Sequence, residues 1–195
     1  KFLFSLFFMR LLIIDVFDSF TYNLMHICKK YIDHVDVIRV NQVNIKHLHK
    51  YDKIIISPGP GVPSNYPVLF ELLNEYKFTK SILGICLGFQ VIGIYFGGTL
   101  FNLNEVMHGK KSLIRLKVKS ELIYKGISKN LYVGRYHSWG IKLKNEKILQ
   151  ITSEDVNNCI MSFKHKKYDI NGIQYHPEPI LTKDGELIIK NWLCN

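Results

Sequence analysis

The chain has 195 residues, of which 47% are hydrophobic, and carries a formal net charge of +10. Its length is enough for one globular domain with a sizeable core, and no apolar run approaches the length of a membrane-spanning helix. The basic residues are scattered among many Ile, Asn, Phe and Tyr residues. We therefore interpret the charge as the compositional bias of an AT-rich coding sequence and predict no nucleic-acid surface.

The cysteine pattern and the first residues bear on the compartment. The four cysteines contain no Cys-x-x-Cys pair, which favours a reducing compartment such as the cytoplasm or an organelle stroma. Residues 1–8 resemble the start of a secretory signal, but no small-residue cleavage site follows them. We expect residues 1–8 to be an extra N-terminal segment, with a targeting peptide as the less favoured interpretation, and residues 9–195 to form a single domain.

Strand-like and helix-like segments alternate along the first half of the chain. In order, the predicted elements are strand 11–15, helix 21–31, strand 35–40, a short helical piece at 45–49, strand 53–57, helix 68–76 and strand 82–85. The central strands are apolar on both faces, as in parallel sheets. After Gly97-Gly98 the pattern changes to short β-rich pieces, followed by a closing helix near residues 184–192. This predicts an α/β fold with a mixed, mostly parallel sheet and a smaller antiparallel portion in the second half.

Cys86 lies between two glycines, in Gly84-Ile85-Cys86-Leu87-Gly88. A predicted strand precedes it and a helix-like stretch follows, which is the pattern of a nucleophile elbow with a thiol in place of serine. Side chains at the glycine positions would collide with the neighbouring strand and helix. Free N–H groups at the start of the helix stabilise a thiolate, and the N–H of Leu87 would face the oxyanion of a tetrahedral intermediate. Alone, the motif also fits a buried, inert cysteine in a glycine-rich turn.

A second motif, His176-Pro177-Glu178, follows a predicted strand at residues 170–175. Pro177 biases His176 toward extended geometry, and residues two apart in an extended segment point to the same side. Glu178 can then orient the His176 ring, and His176 can take the proton of Cys86. A lone histidine at a strand end is more often structural, but the two motifs together indicate a nucleophile with its base.

Four segments, in this order along the chain, resemble the class I glutamine amidotransferases. They are residues 15–24 (DVFDSFTYNL), residues 57–63 (SPGPGVP), residues 84–90 (GICLGFQ), and Tyr136-His137-Ser138 with His176-Pro177-Glu178. The resemblance extends from about Met9 to Asn195. It is strongest to the branch formed by the glutaminase subunits of anthranilate synthase (component II) and aminodeoxychorismate synthase. It implies the three-layer, flavodoxin-like fold of that family.

The resemblance also implies roles for individual residues. Cys86, His176 and Glu178 would form the catalytic triad, and the backbone N–H groups of Gly59 and Leu87 the oxyanion hole. The implied glutamine-binding residues are Gly59, Pro60, Gly61, Gln90, Ser138 and Trp139, the last two through their backbone. Gln90 also fits an ordinary helix surface, and Trp139 also fits a core position. His108 and Lys110 match a segment near the partner-facing side, or are plain loop residues.

By the same resemblance, the chain would hydrolyse L-glutamine and pass ammonia to a chorismate-binding synthase subunit (component I), which makes anthranilate. The two subunits would form a hetero-oligomer, without a nucleic acid or a membrane. No metal or organic cofactor is expected in this chain, and Mg²⁺ only in the partner.

Three alternatives stay open. The same chemistry could serve aminodeoxychorismate synthase and folate, or both enzymes. A non-catalytic module of this fold is disfavoured by the intact Cys86, His176 and Glu178. A stand-alone thiol hydrolase, such as a γ-glutamyl peptidase, fits the loop at residues 57–61 and the opening motif less well.

Three positions depart from the pattern of the branch. Phe89 stands where His is usual, Trp139 where Leu is usual, and Pro179 where Ser is usual. None of them removes a catalytic atom. Pro179 removes a backbone donor beside Glu178, so the way in which Glu178 is held is the point to examine.

Overall fold

The computed structural model describes residues 9–118 and 121–195, so the predicted extra segment at residues 1–8 lies outside the described residues. The strands are β1 (Arg10–Asp15), β2 (His34–Arg39), β3 (Lys53–Ile56), β4 (Ser81–Ile85), β5 (Thr99–Asn102), β6 (Lys110–Leu116), β7 (Asn130–Arg135), β8 (Trp139–Lys142), β9 (Leu149–Asp155), β10 (Ile160–His165) and β11 (Ile170–Ile173). They form a nine-stranded sheet in the order β2-β1-β3-β4-β11-β10-β9-β6-β7, and β5 and β8 form a separate two-stranded sheet.

The large sheet has a parallel half and an antiparallel half. Strands β2, β1, β3, β4 and β11 run parallel, whereas β10, β9, β6 and β7 continue the sheet antiparallel. Ile85 of β4 pairs with Ile173 of β11. Because parallel strands end at the same edge, the residues that follow them, Cys86 and His176, come together although they are far apart in sequence.

Helices cover both faces of the sheet. They are α1 (Thr21–Lys29), α2 (Pro67–Tyr76), α3 (Leu87–Tyr95) and α4 (Gly185–Leu193). Helices α1 and α4 share one buried core with Leu11 and Ile13 of β1, and α2 and α3 share the other with Leu12 and Ile14. Successive side chains of a strand point to opposite faces, so one apolar run supplies both cores. The structure confirms the predicted three-layer α/β fold with its mixed central sheet.

One local detail refines the sequence prediction. Residues 45–49 were predicted as helical, and they lie in a 3₁₀-helix, Ile45–Lys50. Just before α1, the Asp18 carboxylate accepts a hydrogen bond from the Phe20 N–H (2.8 Å). No helix described in residues 9–118 and 121–195 is both long enough and apolar enough to span a bilayer.

Candidate active site

Cys86 occupies the turn between β4 and α3. Its backbone has φ 52° and ψ −97°, a conformation that costs a non-glycine residue about 1–3 kcal/mol. The turn is held because the Cys86 N–H donates to the Ile173 carbonyl (2.9 Å) and the Gln90 N–H donates to the Cys86 carbonyl (3.1 Å). The strained turn places the thiol at the start of α3, where the N–H of Leu87 has no acceptor within the helix.

The two glycines of the elbow are required by close packing. A Cβ on Gly84 would lie 2.5 Å from backbone atoms of Gly88, and a Cβ on Gly88 would lie 2.4 Å from the carbonyl oxygen of Ile56 on β3. Both distances are far below van der Waals contact. The predicted collision with the neighbouring helix and strand is therefore confirmed.

His176 follows β11, and its N–H donates to the Gly134 carbonyl of β7 (3.0 Å). Its Nδ1 lies 2.6 Å from Glu178 Oε1, and both side chains are almost completely buried. Burial lowers the pKa of His176, but the neighbouring Cys86 and Glu178 outweigh this and raise the pKa to about 10. These two neighbours favour the imidazolium form of His176. Its Nε2 makes no well-aligned hydrogen bond within the described residues, which leaves this nitrogen for Cys86.

The segment that carries His176 is clamped from the C-terminal side. The Thr182 hydroxyl donates to the His176 carbonyl (2.5 Å) and accepts from the Gly134 N–H (2.9 Å). A Cβ on Gly185 would lie 1.8 Å from the Pro177 carbonyl oxygen, so the start of α4 presses directly on this segment. These contacts fix the backbone from which the imidazole projects.

Asp18 lies beside the His176–Glu178 pair. Ligand atoms of these three residues lie within 4.8 Å of one another, the one such group of three or more in the described part of the chain. Burial raises the pKa of Asp18. A metal ion here would have to displace the hydrogen bond between Glu178 and His176 Nδ1. The expected absence of a metal stays a prediction.

A cavity of about 320 Å³ is lined in part by Cys86, a volume at the lower end for small-molecule sites. The structure brings together around it all the residues predicted to bind glutamine or the oxyanion, namely Gly59, Pro60, Gly61, Leu87, Gln90, Ser138 and Trp139. His108 also lines it. His176 and Glu178 are buried outside the lining. Val106 and Met107 complete one wall; no motif in the sequence pointed to them.

The Pro/Gly loop is held against the end of β1. The buried Ser57 hydroxyl accepts from the Val16 N–H (2.9 Å) and donates to the Pro58 carbonyl (2.7 Å). A Cβ on Gly59 would lie 2.3 Å from the Val16 carbonyl oxygen. A residue without a side chain is therefore needed where the loop borders the cavity.

The Gln90 side chain reaches from α3 to the backbone of Trp139, which also lines the cavity. Its Nε2 donates to the Trp139 carbonyl (3.1 Å) and to Gln174 Oε1 (3.3 Å), and its side chain is buried. The structure thus places Gln90 inside the site and rules out an ordinary helix-surface role. Its contact with the substrate stays a prediction.

A series of hydrogen bonds between buried polar side chains supports the part of the cavity wall formed by Trp139. The sequence did not predict it. Asp155 Oδ2 accepts from Arg135 Nη1 (2.6 Å), Arg135 Nε donates to His137 Nε2 (3.0 Å), and His137 Nδ1 lies 2.8 Å from the Trp139 carbonyl oxygen. Burial, and then the charge of Arg135, lower the pKa of His137 to about 4. The only sequence signal was the position of His137 in the Tyr-His-Ser motif.

The departures Phe89 and Pro179 now have structural accounts. Phe89 is fully buried and stacks on Phe163 of β10 with ring centroids 4.4 Å apart, so it belongs to the core. Beside Pro179, Oε2 of Glu178 has no hydrogen-bond partner within the described residues. Glu178 is held through Oε1 alone.

Comparison with known proteins gives a consistent family. The family model "Glutamine amidotransferase class-I" matches residues 12–195. A Haemophilus influenzae protein is 40% identical over 187 residues, which cover 95% of this chain and 96% of that protein. "Anthranilate synthase component 2" of Pyropia yezoensis is 37% identical, covering 94% of this chain and 98% of the relative. "Bifunctional protein TrpGD" of Thermotoga maritima is 35% identical over 94% of this chain, which spans 32% of that longer protein.

Solved structures agree on the fold. A Thermoplasma acidophilum protein superimposes with a TM-score of 0.85 at 20% identity, covering 95% of this chain and 92% of that chain. A Thermotoga maritima glutamine amidotransferase gives a TM-score of 0.73 at 14% identity, covering 95% and 96%. With a family match over almost the whole sequence and relatives of this similarity, the chain belongs to the class I glutamine amidotransferases, alongside proteins named anthranilate synthase component II.

Proposed function

We propose that this chain is the glutaminase subunit of anthranilate synthase, which releases ammonia from L-glutamine for a chorismate-binding partner subunit. The observation that carries the catalytic part is the arrangement of Cys86 on its strained elbow, next to a buried His176 that Glu178 orients. The names of its relatives support the pathway. Tryptophan biosynthesis would then be the route that uses the ammonia.

In the proposed reaction, the Cys86 thiolate attacks the side-chain amide carbon of glutamine. The C–S bond forms as the carbonyl π electrons move onto oxygen, and the N–H groups of Gly59 and Leu87 stabilise this oxyanion. His176 gives its proton to the amide nitrogen, the C–N bond breaks and ammonia leaves.

Water then hydrolyses the γ-glutamyl thioester. His176, now neutral, accepts a proton from water, and the hydroxide equivalent attacks the thioester carbon. The C–S bond breaks, glutamate leaves and the thiolate–imidazolium pair is restored. All of these steps use side chains and backbone groups of this chain, so no metal or organic cofactor is proposed for it, and Mg²⁺ is assigned to the partner subunit.

The decisive assay compares glutamine hydrolysis by the chain alone and with a chorismate-binding subunit, and identifies the aminated product. We expect a low rate alone, a higher rate in the complex, and anthranilate as product. Cys86→Ala should abolish glutamine-dependent synthesis while the complex still uses added ammonium. Full glutamine-dependent activity in that variant would contradict the mechanism. Formation of 4-amino-4-deoxychorismate without anthranilate would instead assign the chain to aminodeoxychorismate synthase.

A further inference from the structure

We infer that His137 is a positioning residue for the substrate: a neutral imidazole with its proton on Nδ1 fixes the Trp139 carbonyl, and with it the backbone of Ser138 and Trp139 that is predicted to bind glutamine. This inference rests on the proposed function, because it assigns a role within the same binding wall. The His137 side chain would act through the Trp139 carbonyl and would not touch the reacting atoms.

The hydrogen bonds determine the tautomer of His137. A guanidinium group has donors and no acceptor, so the Arg135 Nε–H, 3.0 Å from His137 Nε2, must be the donor. Nε2 is therefore unprotonated. A neutral imidazole then carries its proton on Nδ1, which lies 2.8 Å from the Trp139 carbonyl oxygen and donates to it.

The surroundings of His137 favour this neutral form. The residue is 6% exposed, and the adjacent Arg135 carries a positive charge. A proton on Nε2 would point at the Arg135 Nε–H and remove its acceptor. Burial and this charge hold the pKa of His137 at about 4, so the Nδ1-protonated neutral form prevails at neutral pH.

The Trp139 carbonyl is held from two sides. His137 Nδ1 approaches it at 2.8 Å and Gln90 Nε2 at 3.1 Å. Gln90 lies on α3, one turn beyond the nucleophile, so the same carbonyl ties the binding wall to the elbow. Two donors on one carbonyl leave that peptide group little freedom to rotate.

The carbonyls of the two preceding residues are also occupied. The Ser138 carbonyl accepts from the Leu103 N–H (2.8 Å), and the His137 carbonyl accepts from the Met107 N–H (3.1 Å). Three consecutive peptide groups are thus oriented before a substrate arrives. Such preorganisation reduces the entropic cost of binding.

The series of side-chain hydrogen bonds that ends at Trp139 begins at Asp155, which is anchored in the turn between β9 and β10. Asp155 Oδ1 accepts from the Asn157 and Cys159 N–H groups (both 2.9 Å), while its Oδ2 holds Arg135. Asp155 and Arg135 are each 2% exposed. His137 therefore links a rigid buried ion pair to the substrate wall.

Two substitutions at His137 separate positioning from structural support. In His137→Gln, the side-chain amide can reach the position of Nε2 and accept from Arg135, but it provides no donor at the Nδ1 position. In His137→Asn, the amide can provide that donor, but the Arg135 Nε–H loses its acceptor. The first variant should therefore lose the bond to Trp139, and the second the bond to Arg135.

The test measures the Kd for L-glutamine by calorimetry on the Cys86→Ala background, together with Tm. We expect His137→Gln to weaken binding about 10-fold, the equivalent of one lost hydrogen bond, with the smaller fall in Tm. His137→Asn should keep Kd within about 3-fold of the parent and show the larger fall in Tm. Tyr76→Phe, which removes a partly buried hydroxyl bonded to the Ile45 carbonyl on the α2 side of the molecule, should lower Tm without changing Kd.

Two results would contradict the positioning role. His137 has only a structural role if the variant with the higher Kd also has the lower Tm, or if His137→Gln binds glutamine as tightly as the parent does. If the Cys86→Ala parent itself does not bind glutamine and the wild type does not hydrolyse it, the proposed function fails, and this inference fails with it.

A measurement on the wild type does not depend on any variant folding. Nitrogen-15 NMR of labelled histidine at neutral pH should show His137 as the neutral Nδ1–H tautomer, identified by its loss in His137→Asn. An Nε2–H tautomer or an imidazolium would overturn the assignment.

Discussion

The parallel and antiparallel halves of the sheet build the site in different ways. The parallel half supplies Cys86 and the Pro/Gly loop through backbone geometry, with Gly59, Gly84 and Gly88 packed too closely for any side chain. The antiparallel half supports the binding wall through buried charge, by way of Asp155 and Arg135. The nucleophile is thus positioned by shape, whereas the binding wall is positioned by side-chain hydrogen bonds that are anchored at Asp155, 20 residues from Arg135 in sequence.

The largest expected effect tests the buried charges of the antiparallel half. Asp155→Asn leaves Arg135 buried without its counter-ion, which should lower the unfolding free energy by about 3–5 kcal/mol. Urea denaturation of the wild type and the variant measures it. The matched control is Glu186→Gln, which removes the exposed ion pair with Lys30 and should cost less than about 1 kcal/mol. Equal losses in the two variants would mean that the buried pair is not what stabilises this half.

The second prediction tests the shape-based half. Gly88→Ala places a Cβ 2.4 Å from the Ile56 carbonyl oxygen, and because that atom is backbone, relief requires β3 or α3 to move. We expect a loss of about 3 kcal/mol and a large fall in glutamine hydrolysis.

The control for this variant is Gly97→Ala, whose site has a φ of 86° and no atom within 4 Å of the new Cβ. It carries backbone strain of about 1 kcal/mol without a collision. If Gly88→Ala were no more damaging than Gly97→Ala, close packing would not be the reason for the glycine.

These two halves also differ in how much the sequence could predict. The elbow and the His-Pro-Glu motif are each a short run of consecutive residues, so the sequence alone shows Gly84, Cys86, Gly88 and His176 as a pattern. The alternation of strands and helices predicted the mixed α/β sheet for the same reason, whereas the three layers were implied by the resemblance to the family. Asp155 could not be predicted as the anchor of Arg135, because that pairing depends on β7 and β9 both flanking β6, and strand order in the antiparallel half leaves no local pattern.

The third prediction concerns Glu178, because its charge acts on His176 at the end of the parallel half, where close packing positions the nucleophile. Glu178→Gln keeps the side-chain shape but removes the charge that helps to raise the pKa of His176. We expect kcat for glutamine hydrolysis to fall about 100-fold, with KM little changed. The alkaline limb of the kcat/KM profile should move to lower pH, since the imidazolium loses its stabilising partner. An unchanged profile would show that Cys86 alone sustains the charged histidine.

Acid stability gives the smallest and most specific effect, and it isolates His137. Its folded-state pKa of about 4 lies below the ordinary value of 6.5, so the unfolded chain takes up the proton first as pH falls. This residue should therefore lower the unfolding free energy by about 2 kcal/mol between pH 7 and pH 5. His176, whose pKa is raised, acts in the opposite direction, since its contribution is fully present below pH 6.5. Urea denaturation of the wild type and His137→Asn at both pH values cancels the His176 term, and the wild type should show the steeper loss. If the wild type and His137→Asn lost the same unfolding free energy between the two pH values, His137 would titrate alike in the folded and unfolded protein. The buried hydrogen bonds that link it to Arg135 and Trp139 would then not keep it neutral.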